Sequence, residues 1–112
     1  MSVNKVILIG YVGNNPETHY FDKENCVSRF PFATNESHLN KSNEKVTQTE
    51  WHRIACWGKQ AILADKHIKK GMHLYIEGKL KSRTIEKKDT PPMRITEIIA
   101  YQIQILDKKE SD

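Results

Sequence analysis

The chain has 112 residues, of which 38% are hydrophobic, so one domain with a modest core is the default expectation. Its formal net charge of +4 gives only a mild preference for an acidic partner. The two cysteines, Cys26 and Cys56, are too few and too widely spaced for a zinc site, and we expect reduced thiols in a cytoplasmic protein without metal or cofactor. No apolar run reaches membrane-spanning length, so we expect no membrane partner.

The N-terminal third of the chain predicts two strands. Residues 3–13 are apolar, and Gly10 within them marks a bend or bulge through which one strand can serve two sides of a closed barrel. A second strand is predicted over 18–35, with an interruption near 22–25. Because Pro31 cannot donate to a sheet ladder, we expect an edge or a bulge at that position.

Residues 36–48 are polar and lack a regular period, which predicts a long mobile hairpin tip. Residues 49–59 alternate as a strand. Its two faces carry Trp51, Arg53, Ala55 and Trp57 on one side and His52, Ile54, Cys56 and Gly58 on the other. An arginine would be buried without a partner if its face were the core, so we expect the tryptophan face to be exposed and the opposite face to point inward.

The C-terminal half predicts a helix and two strands. After Gly58 the apolar spacing changes to three and four residues, which indicates one helix that ends at Gly71. Residues 72–85 alternate again, with Leu74, Ile76, Gly78 and Leu80 inward and Tyr75, Glu77, Lys79, Lys81, Arg83 and Ile85 outward. A charged loop over 86–93 and an isoleucine-rich strand over 94–106 follow.

Two exposed tryptophans with Arg53 between them would form a surface for unpaired nucleic-acid bases. Every base has a π-face that can stack on an indole ring, and a guanidinium can contact phosphate or lie on a base. The alternative is that Trp51 and Trp57 are core residues of a half-buried sheet, which would bury the arginine with them. The order of three strands, one helix and two strands predicts an all-β fold: a five-stranded Greek-key barrel of the oligonucleotide/oligosaccharide-binding (OB) type, with one helix between strands 3 and 4.

Six segments of the chain follow one known family in order and spacing. They are 3–10 (VNKVILIG), 14–17 (NNPE), 32–37 (FATNES), 48–54 (QTEWHRI), 57–59 (WGK) and 70–80 (KGMHLYIEGKL). Over nearly its whole length the chain therefore resembles the bacterial-type single-stranded DNA-binding (SSB) protein family. The resemblance implies an OB barrel, sequence-tolerant binding and protection of single-stranded DNA in replication, recombination and repair, and usually a homotetramer.

The resembling family stacks bases on aromatic side chains at four positions. Trp51 matches one of them and Trp57 keeps an aromatic at a second, whereas His38 and Ile85 occupy the other two. Histidine stacks weakly and isoleucine does not stack, which implies weaker contacts at those positions. The candidate DNA-binding residues are Lys5, Arg29, His38, Trp51, Arg53, Trp57, Lys59, Tyr75, Lys79, Lys81 and Arg83, and the candidate oligomer-interface residues are Val3, Lys5, Ile7 and His52.

We expect one single-stranded DNA-binding domain over 1–106 and a short polar tail over 107–112, without the acidic, hydrophobic tip by which the family recruits replication and repair proteins. We expect no catalytic residues, because the histidines and carboxylates show neither metal-ligand nor triad spacing. The expected protein is a cytoplasmic, nucleoid-associated homotetramer that binds single-stranded DNA. The alternative is a tail-less accessory protein of the primosome or of replication restart, acting mainly through protein partners. The residues alone leave DNA and RNA open.

Overall fold

Seven elements follow one another along residues 1–107, the part of the chain described by the computed structural model. In chain order they are β1 (Val6–Val12), β2 (Glu17–Tyr20), β3 (Cys26–Leu39), β4 (Lys45–Trp57), α1 (Lys59–His67), β5 (His73–Ile85) and β6 (Met93–Ile105). Apart from Asp107, the tail predicted over 107–112 lies outside the described residues. The helix of this part is too short and too polar to cross a membrane.

Five strands close a barrel in the order β1-β5-β6-β4-β3 and back to β1, and β2 adds to the outer edge of β3. Neighbouring strands run antiparallel except for β4 and β6, which are parallel. The predicted OB barrel, with its helix ahead of the last two strands, is confirmed. The interruption predicted near 22–25 is also present, because Asp22 accepts backbone hydrogen bonds from Glu24 and Asn25 in the turn between β2 and β3.

Two residues mark the places where strands change neighbours. Residues 6–11 of β1 pair with β5, and the end of β1 then pairs with β3. Gly10 allows this change, because a Cβ at that position would collide with the carbonyl oxygen of Ala33. Pro31 lies where β3 passes from β2 to β1, and its carbonyl accepts the N–H of Gly13 at 2.8 Å. The missing proline N–H therefore interrupts no ladder.

The inward faces of the strands and the helix form one core. Its buried members are Val12, Cys26, Phe30, Phe32, Ile54, Cys56, Ala61, Ala64, Ile68, Leu74, Ile76, Ile98 and Ala100. Ile54 and Cys56 lie on the inward face of β4, as predicted. Burial, together with the neighbouring Cys26, raises the pKa of the Cys56 thiol to about 12, so this thiol stays protonated at neutral pH.

Three details of the sequence prediction are wrong. Residues 36–48 are not an irregular tip, because β3 and β4 remain paired as an arm out to a turn at 40–44. Side chains on both faces of this arm meet solvent, so no alternation marks it. The helix ends at His67 rather than at Gly71, because the next residue is extended and turns its isoleucine side chain into the core. Leu80 is exposed rather than inward, because β5 there runs past the core in a second arm with β6.

Candidate nucleic-acid interface

The outward face of β4 carries both tryptophans. Trp51 is 59% exposed and Trp57 is 50% exposed, and Arg53 between them is exposed as well. The predicted exposure of this face is confirmed, and the two rings are not core residues. Ala55, which belongs to the same face, is fully buried where β4 runs between β3 and β6. The small side chain of Ala55 thus lies at the bottom of the surface between Arg53 and Trp57.

Trp51 lies against the loop that follows β1. A Cβ on Gly13 would collide with the Trp51 ring and would approach the ring of Pro31 to 3.4 Å. Because Gly13 has no side chain, the indole can rest on the backbone while the rest of its surface remains open. This position is one where only glycine fits without moving the tryptophan.

Trp57 belongs to a small aromatic group. The ring of Phe21 is nearly parallel to Trp57, with centroids 6.1 Å apart and an angle of 8°, and His19 meets Phe21 edge to face at 4.7 Å. Phe21 is itself exposed. The strand register explains the grouping, because Val27 pairs with Trp57 on one side and with His19 on the other. The sequence pattern did not indicate this pairing, since β2 is only four residues long.

A basic hollow lies beside Trp57. It has a volume of about 330 Å³ and is lined by Arg29, Trp57, Lys79, Lys81, Arg83, Glu97 and Ile99. Five residues predicted for DNA binding are therefore brought together from β3, β4 and β5. A second hollow of about 270 Å³ shares Arg29, Arg83 and Glu97 with the first and adds Arg53 and residues of the loop after β1. The two hollows form one surface, which we call the arginine groove.

Glu97 joins the two hollows and was not indicated by the sequence. Its side chain is only 5% exposed, and its two oxygens accept one hydrogen bond each, from Arg29 Nε at 2.9 Å and from Arg83 Nε at 2.8 Å. Burial opposes ionisation of this carboxyl group, but the two guanidinium bonds outweigh it and hold the pKa of Glu97 below its ordinary value. Glu97 is therefore ionised at neutral pH.

Other predicted binding residues lie away from the arginine groove. The hydroxyl of Tyr75 donates to Glu77 at 3.3 Å, and the carboxylate of Glu77 pairs with Lys5 Nζ at 2.7 Å. The hydrogen bond from Lys5 is the main cause that lowers the pKa of Glu77. His38 is exposed on the arm formed by β3 and β4, and Lys59 begins α1.

Among residues 1–107, no group of three or more His, Cys, Asp or Glu side chains is placed to hold a metal ion.

Ile85 lies at the end of β5 and is partly buried. It lines a largely apolar hollow of about 680 Å³ with Arg53, Pro91, Pro92 and Met93, among others. This position therefore presents an apolar side chain next to the guanidinium of Arg53.

The outward face of β1 is apolar and uncovered. The exposed apolar side chains on and before this strand include Val3, Ile7 and Ile9. Residues 6–9 pair with β5 along one edge, and within residues 1–107 no strand pairs with their other edge. His52 lines a hollow of about 290 Å³ that also includes Leu8 of β1, so it lies near this free edge.

A closed five-stranded barrel with exposed aromatic and guanidinium groups on its outer face defines an OB-fold protein of the oligonucleotide-binding class. The particular family follows from comparison with known sequences. The model of the single-strand binding protein family matches residues 3–106, and the chain belongs to this family.

Individual relatives are similar over most of the chain. Single-stranded DNA-binding protein 1 of Chlorobaculum tepidum is 39% identical over 97% of this chain and 68% of its own length. The single-stranded DNA-binding protein of Bacteroides thetaiotaomicron is 40% identical over 97% and 69%, and that of Neisseria meningitidis serogroup B is 38% identical over 95% and 61%. The chain thus spans about two thirds of the length of these relatives. A chain of a Plasmodium falciparum SSB complex with ssDNA has a TM-score of 0.83 at 34% identity, covering 96% of this chain and 97% of that chain.

Proposed function

We propose that the chain binds and protects single-stranded DNA, without preference for base sequence, during replication, recombination and repair. The observation that carries the proposal is that Trp51 and Trp57 are half-exposed on one face of β4 with Arg53 between them, and that Trp57 lines the same hollow as Arg29 and Arg83. Family membership and the names of the relatives support it. The role is one of binding rather than catalysis, carried out on the DNA of the nucleoid in the cytoplasm by the domain over 1–106.

The spacing of the two rings suits a strand of several nucleotides. Trp51 and Trp57 are six residues apart on β4, which corresponds to about 20 Å at about 3.3 Å per residue. The rings therefore take different bases, and the phosphates between those bases pass over the arginine groove. Stacking and phosphate contacts are common to all four nucleotides, which accounts for sequence tolerance.

The test is a titration at fixed salt with single-stranded DNA, RNA of the same sequence and the matching duplex. We expect the single-stranded DNA to bind more tightly than the duplex, whose paired bases are not available for stacking. Equal affinity for single strand and duplex would mean that basic residues attract phosphates without base stacking, and it would refute the proposal. Tighter binding of the RNA would show that the protein's ligand is single-stranded RNA rather than DNA.

We also propose that copies of the chain associate through β1 into a homo-oligomer, with a tetramer as the expected state. The free edge of residues 6–9 and the exposed side chains of Ile7 and Ile9 support this interface. Two such edges can pair across a two-fold axis, which satisfies their backbone groups and brings the exposed isoleucines of the two copies side by side.

A further inference from the structure

A buried carboxylate at the centre of a DNA-binding surface needs an explanation, because its charge repels phosphate. We propose that Glu97 is a positioning residue that orients Arg29 and Arg83 toward the phosphates of a bound strand. The inference rests on the proposed function and assigns a role to a residue that does not itself reach the DNA, since its side chain is 5% exposed.

The hydrogen-bond geometry leaves both arginines anchored and available. Each guanidinium has five N–H donors and uses only its Nε–H on Glu97. Within residues 1–107, the terminal nitrogens of Arg29 and Arg83 form no hydrogen bond, and the two side chains remain 38% and 42% exposed. Four donors on each arginine can therefore bind phosphate oxygens without breaking the hydrogen bond to Glu97.

The position of Glu97 in the groove agrees with this role. Glu97, Arg29 and Arg83 are the three residues common to both hollows, so they lie where the groove passes from Trp57 to Arg53. A free arginine side chain occupies many rotamers and loses them when it binds. Glu97 removes this freedom before DNA arrives, which favours binding by preorganisation.

Charge and positioning predict opposite results for Glu97→Gln. If Glu97 contributed only a negative charge, its removal would tighten binding of an oligo-dT strand. If Glu97 positions the arginines, affinity should fall about fourfold near 0.15 M salt for each phosphate that is no longer neutralised, and the slope of log affinity against log salt should fall by about 0.7 for each. The matched control is Glu44→Gln, because Glu44 is exposed at the turn between β3 and β4, lies outside both hollows and forms no ion pair within residues 1–107. We expect this control to bind as well as wild type or more tightly.

A second variant, Glu97→Asp, keeps the charge and withdraws the carboxylate by one methylene. It should also bind more weakly with a lower salt slope, and it decides the question if Glu97→Gln does not fold. The inference is overturned if either folded variant binds as tightly as wild type, or if affinity falls while the salt slope is unchanged, which would show a purely structural role. A wild-type protein that binds duplex as well as single strands would instead refute the proposed function.

Discussion

Replacing Trp51 with alanine separates a stacking role from a structural role for this side chain. About two fifths of Trp51 is covered by the barrel. A fully buried tryptophan removes up to about 250 Å² from water, so the covered part is about 100 Å². At about 25 cal/mol per Å², the variant loses about 2.5 kcal/mol of unfolding free energy at most. The free energy of unfolding of a small domain is about 5–15 kcal/mol, so we expect Trp51→Ala to remain folded.

Although Trp51→Ala should remain folded, its affinity for single-stranded DNA should decrease. Removing an aromatic ring on which one base stacks costs about 1–3 kcal/mol of binding free energy, which corresponds to a roughly 5- to 150-fold weaker affinity for oligo-dT. Anisotropy of a labelled oligonucleotide measures this without depending on tryptophan emission, and denaturant unfolding measures stability in parallel. Tyr20→Ala is the matched control, because Tyr20 is a similarly exposed aromatic whose hydroxyl binds Asp65 of α1 at 2.7 Å.

The control should lose some stability and keep its affinity for DNA. The reasoning fails if Trp51→Ala is largely unfolded while its remaining folded fraction binds oligo-dT with wild-type affinity. Trp51 would then be a structural residue whose exposed part has no ligand.

Replacing Lys79 and Lys81 together with alanine should lower the slope of log affinity against log salt by about 1.4, because each phosphate on a single strand contributes about 0.7. A salt titration with an unchanged slope would show that both lysines only face solvent. Ile9→Lys should reduce the mass measured by light scattering while circular dichroism stays native, and an unchanged mass would place the subunit interface elsewhere. Because the pKa of Glu97 is lowered in the folded state, its stabilising effect is present at neutral pH and is lost as the pH falls through that lowered value. Unfolding free energies measured between pH 7 and pH 3 should therefore fall less steeply for Glu97→Gln, and equal pH dependence would contradict this.

The fold could be predicted wherever one face of an element is buried and the other is not. On β4, Ile54 and Cys56 alternate with Trp51 and Trp57, so both the strand and its orientation follow from the pattern. The same signal disappears near 40–44, where the arm is surrounded by solvent on both faces and polar residues fit either side. An alternation rule also cannot locate the point at which a strand leaves the core, which is why the pattern predicts an inward Leu80 although the side chain is exposed.

The sequence indicates which side chains have the chemistry to bind a nucleic acid, but not how the fold arranges them. Arg29 and Arg83 have the right chemistry for phosphate, yet their shared partner Glu97 is 68 and 14 residues away from them in the chain. A single glutamate on an isoleucine-rich strand carries no sign that two arginines will bury it. Conversely, Lys5 and Tyr75 have suitable chemistry, but the closed barrel places both of them on Glu77.

The place of β6 in the barrel has a consequence for the protein while it is being made. β6 lies between β5 and β4, and it meets β4 through the pairs Ile54↔Ile98 and Ala55↔Ile99. On the ribosome, every other strand emerges before the one that closes the barrel. Until then the apolar inner faces remain open to solvent and to other nascent chains. The carboxylate of Glu97 arrives with this last strand, so a partly synthesised chain has neither a closed core nor a finished surface for DNA.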